Sequence, residues 1–144
     1  MQSLCGSWKL AMDNGNVGRE EKWFTSTRPD AVDVPVPGII QQAVPGAFGV
    51  AWYWTTFTPL RAAGDHERVL LKFGAVDYLA EVWVNGKSCG ERLWGPHVFD
   101  VSDALRPGAN EIRVRVANLI NNSYGEFAES GLLGPVRLIR DGRP

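Results

Sequence analysis

The sequence predicts an all-β protein, a β-sandwich or jelly roll, and three observations lead to that reading. Short runs rich in aromatic and β-branched residues recur along 144 residues, punctuated by 16 Gly and 9 Pro, as many short strands with turns require. No long helical period appears between them. One run, Glu111–Ala117 (EIRVRVA), alternates almost perfectly, with Ile112, Val114 and Val116 on one face and Glu111, Arg113 and Arg115 on the other, predicting a sheet with one dry and one wet face.

The elements follow in order. The first 30 residues are the least regular, with Trp8-Lys9-Leu10 and Lys22-Trp23-Phe24 as apolar points among polar loops. Ala31–Val36 alternates weakly, and its proline marks an edge strand or an extended approach to the sheet. Ile39–Ala43 is expected to form one helical turn. Ala51–Thr58 (AWYWTTFT), Arg68–Phe73 and Leu79–Val84 read as core strands, being aromatic and β-branched. Asn85-Gly86 then predicts a type I′ hairpin, since both central residues need positive φ, with Ser88–Arg92 returning. Val98–Val101 is a short strand, and Ser102–Leu105 a single helical turn with Ser or Asp capping its first N–H groups. Arg106-Pro107-Gly108 ends it, and Val136–Ile139 closes a single domain over residues 1–144, about eight or nine strands in all.

Bulk properties narrow the function. The net charge of −1 offers no basic field for a phosphate backbone, which argues against nucleic acid. No apolar run approaches the ~20 residues of a membrane helix, and the opening MQSLCGSWKL lacks the charged and apolar regions of a signal peptide. Cys5 and Cys89 do not make a framework. Their pairing is open, and two buried inert thiols are the simpler expectation.

Several segments, in order, carry a resemblance. Leu4–Leu10 looks like an L-x-G-x-W-x-F opening, Val34–Gly38 like I-x-V-P-G, and Trp52-Tyr53 with Phe57 like W-Y-R-R-x-F. Leu71–Val76 with Ala80–Gly86 is similar to L-x-F-x-G-V-x-x-x-A-x-V-W-V-N-G, Phe99–Ser102 to F-x-x-D-V-T, and Pro107–Asn110 to K-P-G-E-N. Together they resemble the sugar-binding, galactose-binding-like jelly-roll domain of family 2 glycoside hydrolases. The corner Leu93-Trp94-Gly95-Pro96, the run Val116–Leu119 and the end Ser130–Val136 depart from that pattern and are more similar to the accessory domain of family 106 α-L-rhamnosidases. The resemblance implies a non-catalytic carbohydrate-binding or accessory module of an enzyme acting on plant or microbial polysaccharide. Its implied partners are carbohydrate and a catalytic domain, and its implied setting is extracellular or periplasmic. The rival reading is a structural buttress for a catalytic domain, with no sugar binding of its own.

An enzyme in its own right is the distant third reading. In the family the catalytic carboxylates lie in a barrel domain that needs roughly 200–250 residues. Glycoside hydrolysis needs two carboxyl groups facing each other across a bond. Asp77, Asp100, Asp103, Glu126 and Glu129 are available, but Asp100 and Asp103 suit capping, and Glu126 with Glu129 is an ordinary acidic loop pair. His66 and His97 have no ligand-spaced partner, and no nucleophile elbow or phosphate loop is present. No cofactor is expected. The fold class admits a structural calcium ion, but no Asp/Asn cluster has its ligand spacing.

A sugar site needs an aromatic platform with polar groups around it, and sandwiches carry such groups on end loops. Asn118–Ser130 is the first candidate, offering Asn121, Asn122, Tyr124, Glu126 and Phe127. By the resemblance, Glu126 stands nearest to an acidic residue that reaches the family's active site. An ordinary connecting loop with a core plug is the bland alternative. The corner at Trp94, with His97 as donor, is the second, and a structural plug explains it equally well. Trp54 is the third: it shares a sheet face with Trp52, about 7 Å away, where the family commonly has Arg. That implies partial exposure and, preferentially, an interface with another domain. Trp8, Trp23, Trp52 and Trp83 read as core.

Overall fold

A computed structural model describes residues 2–13, 15–38, 40, 49–59, 67–74, 76–77, 79–93, 96–117, 131–132 and 134–142. Among these residues run twelve strands: β1 (Gln2–Ser3), β2 (Gly6–Met12), β3 (Val32–Val36), β4 (Val50–Phe57), β5 (Glu67–Phe73), β6 (Val76–Asp77), β7 (Leu79–Val84), β8 (Lys87–Arg92), β9 (His97–Asp100), β10 (Asn110–Ala117), β11 (Gly131–Leu132) and β12 (Val136–Gly142). One 3-10 turn spans Ser102–Ala104. The expected turn at Ile39–Ala43 falls mostly outside the described residues.

The strands form two facing antiparallel sheets and a two-stranded ribbon. The larger sheet has the order β3-β2-β4-β10-β7-β8, the smaller β1-β12-β5-β9, and β11 pairs with β6. The all-β sandwich expected from the sequence is therefore the observed architecture. β10 occupies the middle of the larger sheet, with Val114 opposite Tyr53 on one side and Val82 on the other. β3 lies at the sheet edge, as its Pro35 requires, because proline has no N–H for a second ladder.

Between the sheets lies one apolar core, in which Leu10, Tyr53, Val82, Ile112, Val114 and Val116 of the larger sheet meet Val69, Leu71, Phe73, Phe99, Val136 and Leu138 of the smaller. These residues alternate along their strands, so the period-two pattern of the sequence translates directly into an inner face. Trp8 packs edge-on against Tyr53, centroids 6.3 Å apart at 80°. Burial pushes the Tyr53 phenol well above its ordinary pKa, partly offset by a backbone hydrogen bond with Leu132.

The Asn85-Gly86 turn has φ of 53° and 81°, with Val84 opposite Lys87, the type I′ geometry expected of that dipeptide. Asn85 does more than turn. Its side-chain amide donates to Ala104 O and Asn110 Oδ1, both at 2.8 Å, and its Oδ1 accepts from Glu111 N at 2.9 Å. The wholly buried Asn110 in turn donates to Arg106 O and Gly108 O and accepts from Arg106 N. Two asparagines thus fasten the hairpin to the loop that enters β10.

Three local expectations are corrected. The thiols are unpaired, with Cys5 exposed and Cys89 intermediate rather than buried. Cys5 sits in the link between β1 and β2, outside the alternation that buries a strand residue, and Cys89 lies on the edge strand β8. The 3-10 turn is preceded by Val101, which offers no side-chain cap. Instead Asp100 Oδ1 accepts from Ser102 N and Oγ at 3.0 and 2.6 Å, and Ser102 Oγ accepts from Val69 N at 2.8 Å. Finally, the outward face of β10 is not wet. Arg113 and Arg115 are only 4% and 3% exposed, because a second packed layer covers that face.

Candidate functional site

The covering layer is built by the chain between β2 and β3 folding back over the outer face of the larger sheet. Trp23, Trp52, Trp54 and Trp83 form a second buried cluster, with Phe24 packed against it. Phe24 stacks on Trp83 at 4.9 Å and 6°, and Trp52 on Trp83 at 5.0 Å and 24°. Trp52 and Trp54 share the face, as two-residue spacing on β4 dictates, with rings 6.4 Å apart.

Polar pins hold the cover down. Buried Asp13, just past β2, accepts from Val17 N and Gly18 N, both at 2.8 Å, and from Trp52 Nε1 at 3.0 Å. Trp54 Nε1 donates to Trp23 O at 2.8 Å, and the Arg28 guanidinium lies 4.8 Å from the Trp23 ring centre, within cation–π range. A Cβ on Gly18 would come within 2.4 Å of Trp52 Nε1, so this close approach admits only glycine.

Trp54 is therefore not exposed. At 1% exposure it is part of a core, and the expected interface role at that residue is overturned. The sequence gives no element for the covering segment because its two aromatics, Trp23 and Phe24, are adjacent rather than periodic. The signal was the pairing of Trp52/Trp54 with Arg113/Arg115 on neighbouring strands: two large aromatics on a face assigned to water.

Beneath the cover is a charged group of its own. Arg115 lies opposite Trp52 on one side and Glu81 on the other. Its Nη2 donates to Asn16 Oδ1 at 2.8 Å, while Nε and Nη1 find no acceptor among the described residues. Arg19 approaches Glu81 at 3.8 Å. Burial raises the Glu81 pKa against the opposing pull of Arg19, with Glu91 adding to the rise. Burial also holds Arg115 below its ordinary value, and Arg113 likewise, despite its 2.9 Å ion pair with Glu111. These groups order the cover. Among the described residues no cluster of His, Cys, Asp and Glu is arranged to hold a metal ion.

Of the sugar-site residues read from the sequence, Trp94, Asn121, Asn122, Tyr124 and Glu126 lie outside the described residues. His97 is described, and the reading of it as an open donor is corrected. It is 6% exposed because β9 alternation places it on the same inward face as Phe99. The strand ends that flank the two candidate loops are close in register. Ala117 is opposite Leu79 and Val50, and Arg92 is opposite Ala80 in the adjacent row. β8 and β10 therefore both finish at the same end of the larger sheet.

Comparisons with known proteins bear on this arrangement. A family model described as glycosyl hydrolase 2 galactose-binding domain-like matches residues 46–136. The chain is 32% identical to a β-glucuronidase of Paenibacillus borealis over 130 residues, 84% of this chain and 22% of that protein. It is 32% identical to the human β-glucuronidase over 139 residues, 85% of this chain and 21% of that one. A β-glucuronidase structure from an uncultured Clostridium superposes with a TM-score of 0.79 at 30% identity, covering 95% of this chain and 28% of the other. A rhamnosidase from Novosphingobium sp. PP1Y shares the fold at 23% identity, with a TM-score of 0.76 over 98% of this chain and 15% of the other. The chain thus spans about a fifth of the length of these curated relatives.

Proposed function

Because the chain belongs to the glycosyl hydrolase 2 galactose-binding domain-like family, we propose that it is a non-catalytic accessory module of a glycoside hydrolase acting on β-glucuronides or related glycans. The observation that carries this reading is coverage: the matched region is about a fifth of each β-glucuronidase, and the described part of it is sandwich from β4 to β12. In this reading Trp94 or Tyr124 stacks on a sugar face while Asn121, Asn122 and Glu126 bind hydroxyls, in the segments that follow β8 and β10 in sequence. A shallow site of that kind binds weakly, and the natural setting is extracellular or periplasmic. Two arms of one assay test it. The chain alone should release no 4-nitrophenol from 4-nitrophenyl β-D-glucuronide, and release that disappears in Glu126→Gln would overturn the non-catalytic assignment.

A second reading, the buttress without sugar affinity, is favoured by the tryptophans. Trp8, Trp23, Trp52, Trp54 and Trp83 are all 9% exposed or less, so among the described residues no indole offers an open stacking face.

A further inference from the structure

The larger sheet is open at the end where Phe57 of β4 lies opposite Asn110 of β10. β2 and β4 pair from Met12↔Ala51 up to Lys9↔Trp54, and there the ladder stops. Continuing the register would place Trp8, Ser7 and Gly6 opposite Thr55, Thr56 and Phe57. Both strands persist over these residues, but each is paired only on its far side, β2 with β3 and β4 with β10. A cleft of about 320 Å³ occupies the place of the missing rungs, lined by Gln2–Trp8 on one wall and Thr55–Thr58 on the other. Gln2 Nε2 reaches across it to Thr58 O at 3.0 Å.

The lining selects the ligand. Two facing strand edges present alternating N–H and C=O groups, the complement of an extended backbone. Three rungs extend about 10 Å at ~3.4 Å per residue, room for a short stretch of chain. Five of the lining side chains are small and hydroxylated (Ser3, Ser7, Thr55, Thr56, Thr58), and among the described residues the only ionisable one is the exposed thiol of Cys5, so the cleft suits an uncharged segment. A pyranose would want an aromatic face, but Trp8 is 1% exposed, its ring turned against Tyr53.

We propose that this cleft receives an extended, uncharged polypeptide segment by main-chain hydrogen bonding, supplied by the enzyme that the domain serves. The source of the segment rests on the accessory-domain reading, since four-fifths of a relative's length lies beyond the part this chain matches. The main-chain chemistry of the cleft does not.

Cys5 gives the test its readout. Its alkylation by N-ethylmaleimide is followed by peptide mass mapping in the full 144-residue chain, with Cys89, on the far edge strand, as internal reference. The probe is the acetylated and amidated pentapeptide Ser-Val-Thr-Val-Ser, compared with its fully N-methylated form and with D-glucuronic acid. At a peptide concentration twice its Kd, Cys5 alkylation slows about threefold by mass action, Cys89 is unaffected, and the cleft-facing amides among Gly6–Trp8 and Thr55–Phe57 gain protection from hydrogen exchange. No slowing up to the solubility limit overturns the proposal, as does equal slowing by the N-methylated peptide. Slowing by glucuronic acid alone replaces the peptide with a sugar. The aryl-glucuronide assay above reports on the accessory reading and is independent of how Cys5 responds.

Discussion

Substituting Asp13 by Ala should loosen the whole outer layer, and the structure sets the size of the effect. The carboxylate accepts three hydrogen bonds, from Val17 N, Gly18 N and Trp52 Nε1, and is 2% exposed. Hydrogen bonds to a charged acceptor contribute roughly 1.5–3 kcal/mol each, and a buried donor left unpaired costs about 1–3 kcal/mol. Val17 is half-buried and can turn to water. The Trp52 indole and Gly18 N–H cannot without lifting the cover. Setting these losses against the relief of no longer burying a charge, the net destabilisation should be about 3 kcal/mol, a large share of the ~5–15 kcal/mol typical of a domain. Urea unfolding would measure it. Near-UV circular dichroism reports the second half of the prediction, because Trp23, Trp52, Trp54 and Trp83 lie in a cluster with neighbouring rings 5.0–6.4 Å apart, close enough for their transitions to couple. Asp13→Ala should weaken that signal in the native baseline, while Asp13→Asn, which keeps one acceptor oxygen, should retain most of it. A loss below about 1 kcal/mol with an unchanged near-UV spectrum would refute the view that Asp13 pins the cover to the sheet.

Trp54→Ala should cost about 3–5 kcal/mol in the same urea experiment, whereas an exposed interface residue would cost almost nothing. Asn110→Ala should lower stability by about 2–3 kcal/mol, since three backbone groups and the Asn85 amide lose their partner, and hydrogen exchange at Asn85 and Glu111 should accelerate with it. Glu81→Gln carries a signed pH prediction. The folded-state pKa of Glu81 lies above its unfolded value, so its stabilising contribution is complete below the ordinary glutamate range and is lost as pH rises through the raised folded value. The wild type should therefore lose stability relative to Glu81→Gln from about pH 4 towards neutrality, and a parallel pH dependence of the two proteins would contradict it.

What was legible in the sequence, and what was not, divides along physical lines. Period-two alternation in Glu111–Ala117, aromatic and β-branched runs such as Ala51–Thr58, and the φ demands of Asn85-Gly86 are local signals, and each produced the strand or turn it indicated. The covering layer depends on a non-local event. Residues 13–31 carry neither a helical nor a strand period, and their burial comes from Trp23 and Phe24 meeting β4 and β7, both distant in sequence. Arg113 and Arg115 read as solvent-facing in the sequence for the same reason: a charged residue on an alternating strand signals solvent unless something distant covers it. His97 is the opposite case, because its two-residue spacing from Phe99 already implied an inward side chain. Among the sugar-site candidates, Trp94, Asn121, Asn122, Tyr124 and Glu126 come from loops, where side-chain placement follows no period that a sequence displays.

The accessory-module account is tested most directly by an NMR titration of the full chain, observing backbone amides and indole N–H groups, with D-glucuronic acid, galactose, rhamnose and pectic oligosaccharides at millimolar concentration. The account predicts a saturable shift with one sugar class, centred on residues 118–130 and the Trp94 indole, and abolished by Tyr124→Ala or Trp94→Ala in a folded protein. A folded chain whose spectrum moves with none of them would contradict sugar binding and leave the buttress as the function of this domain.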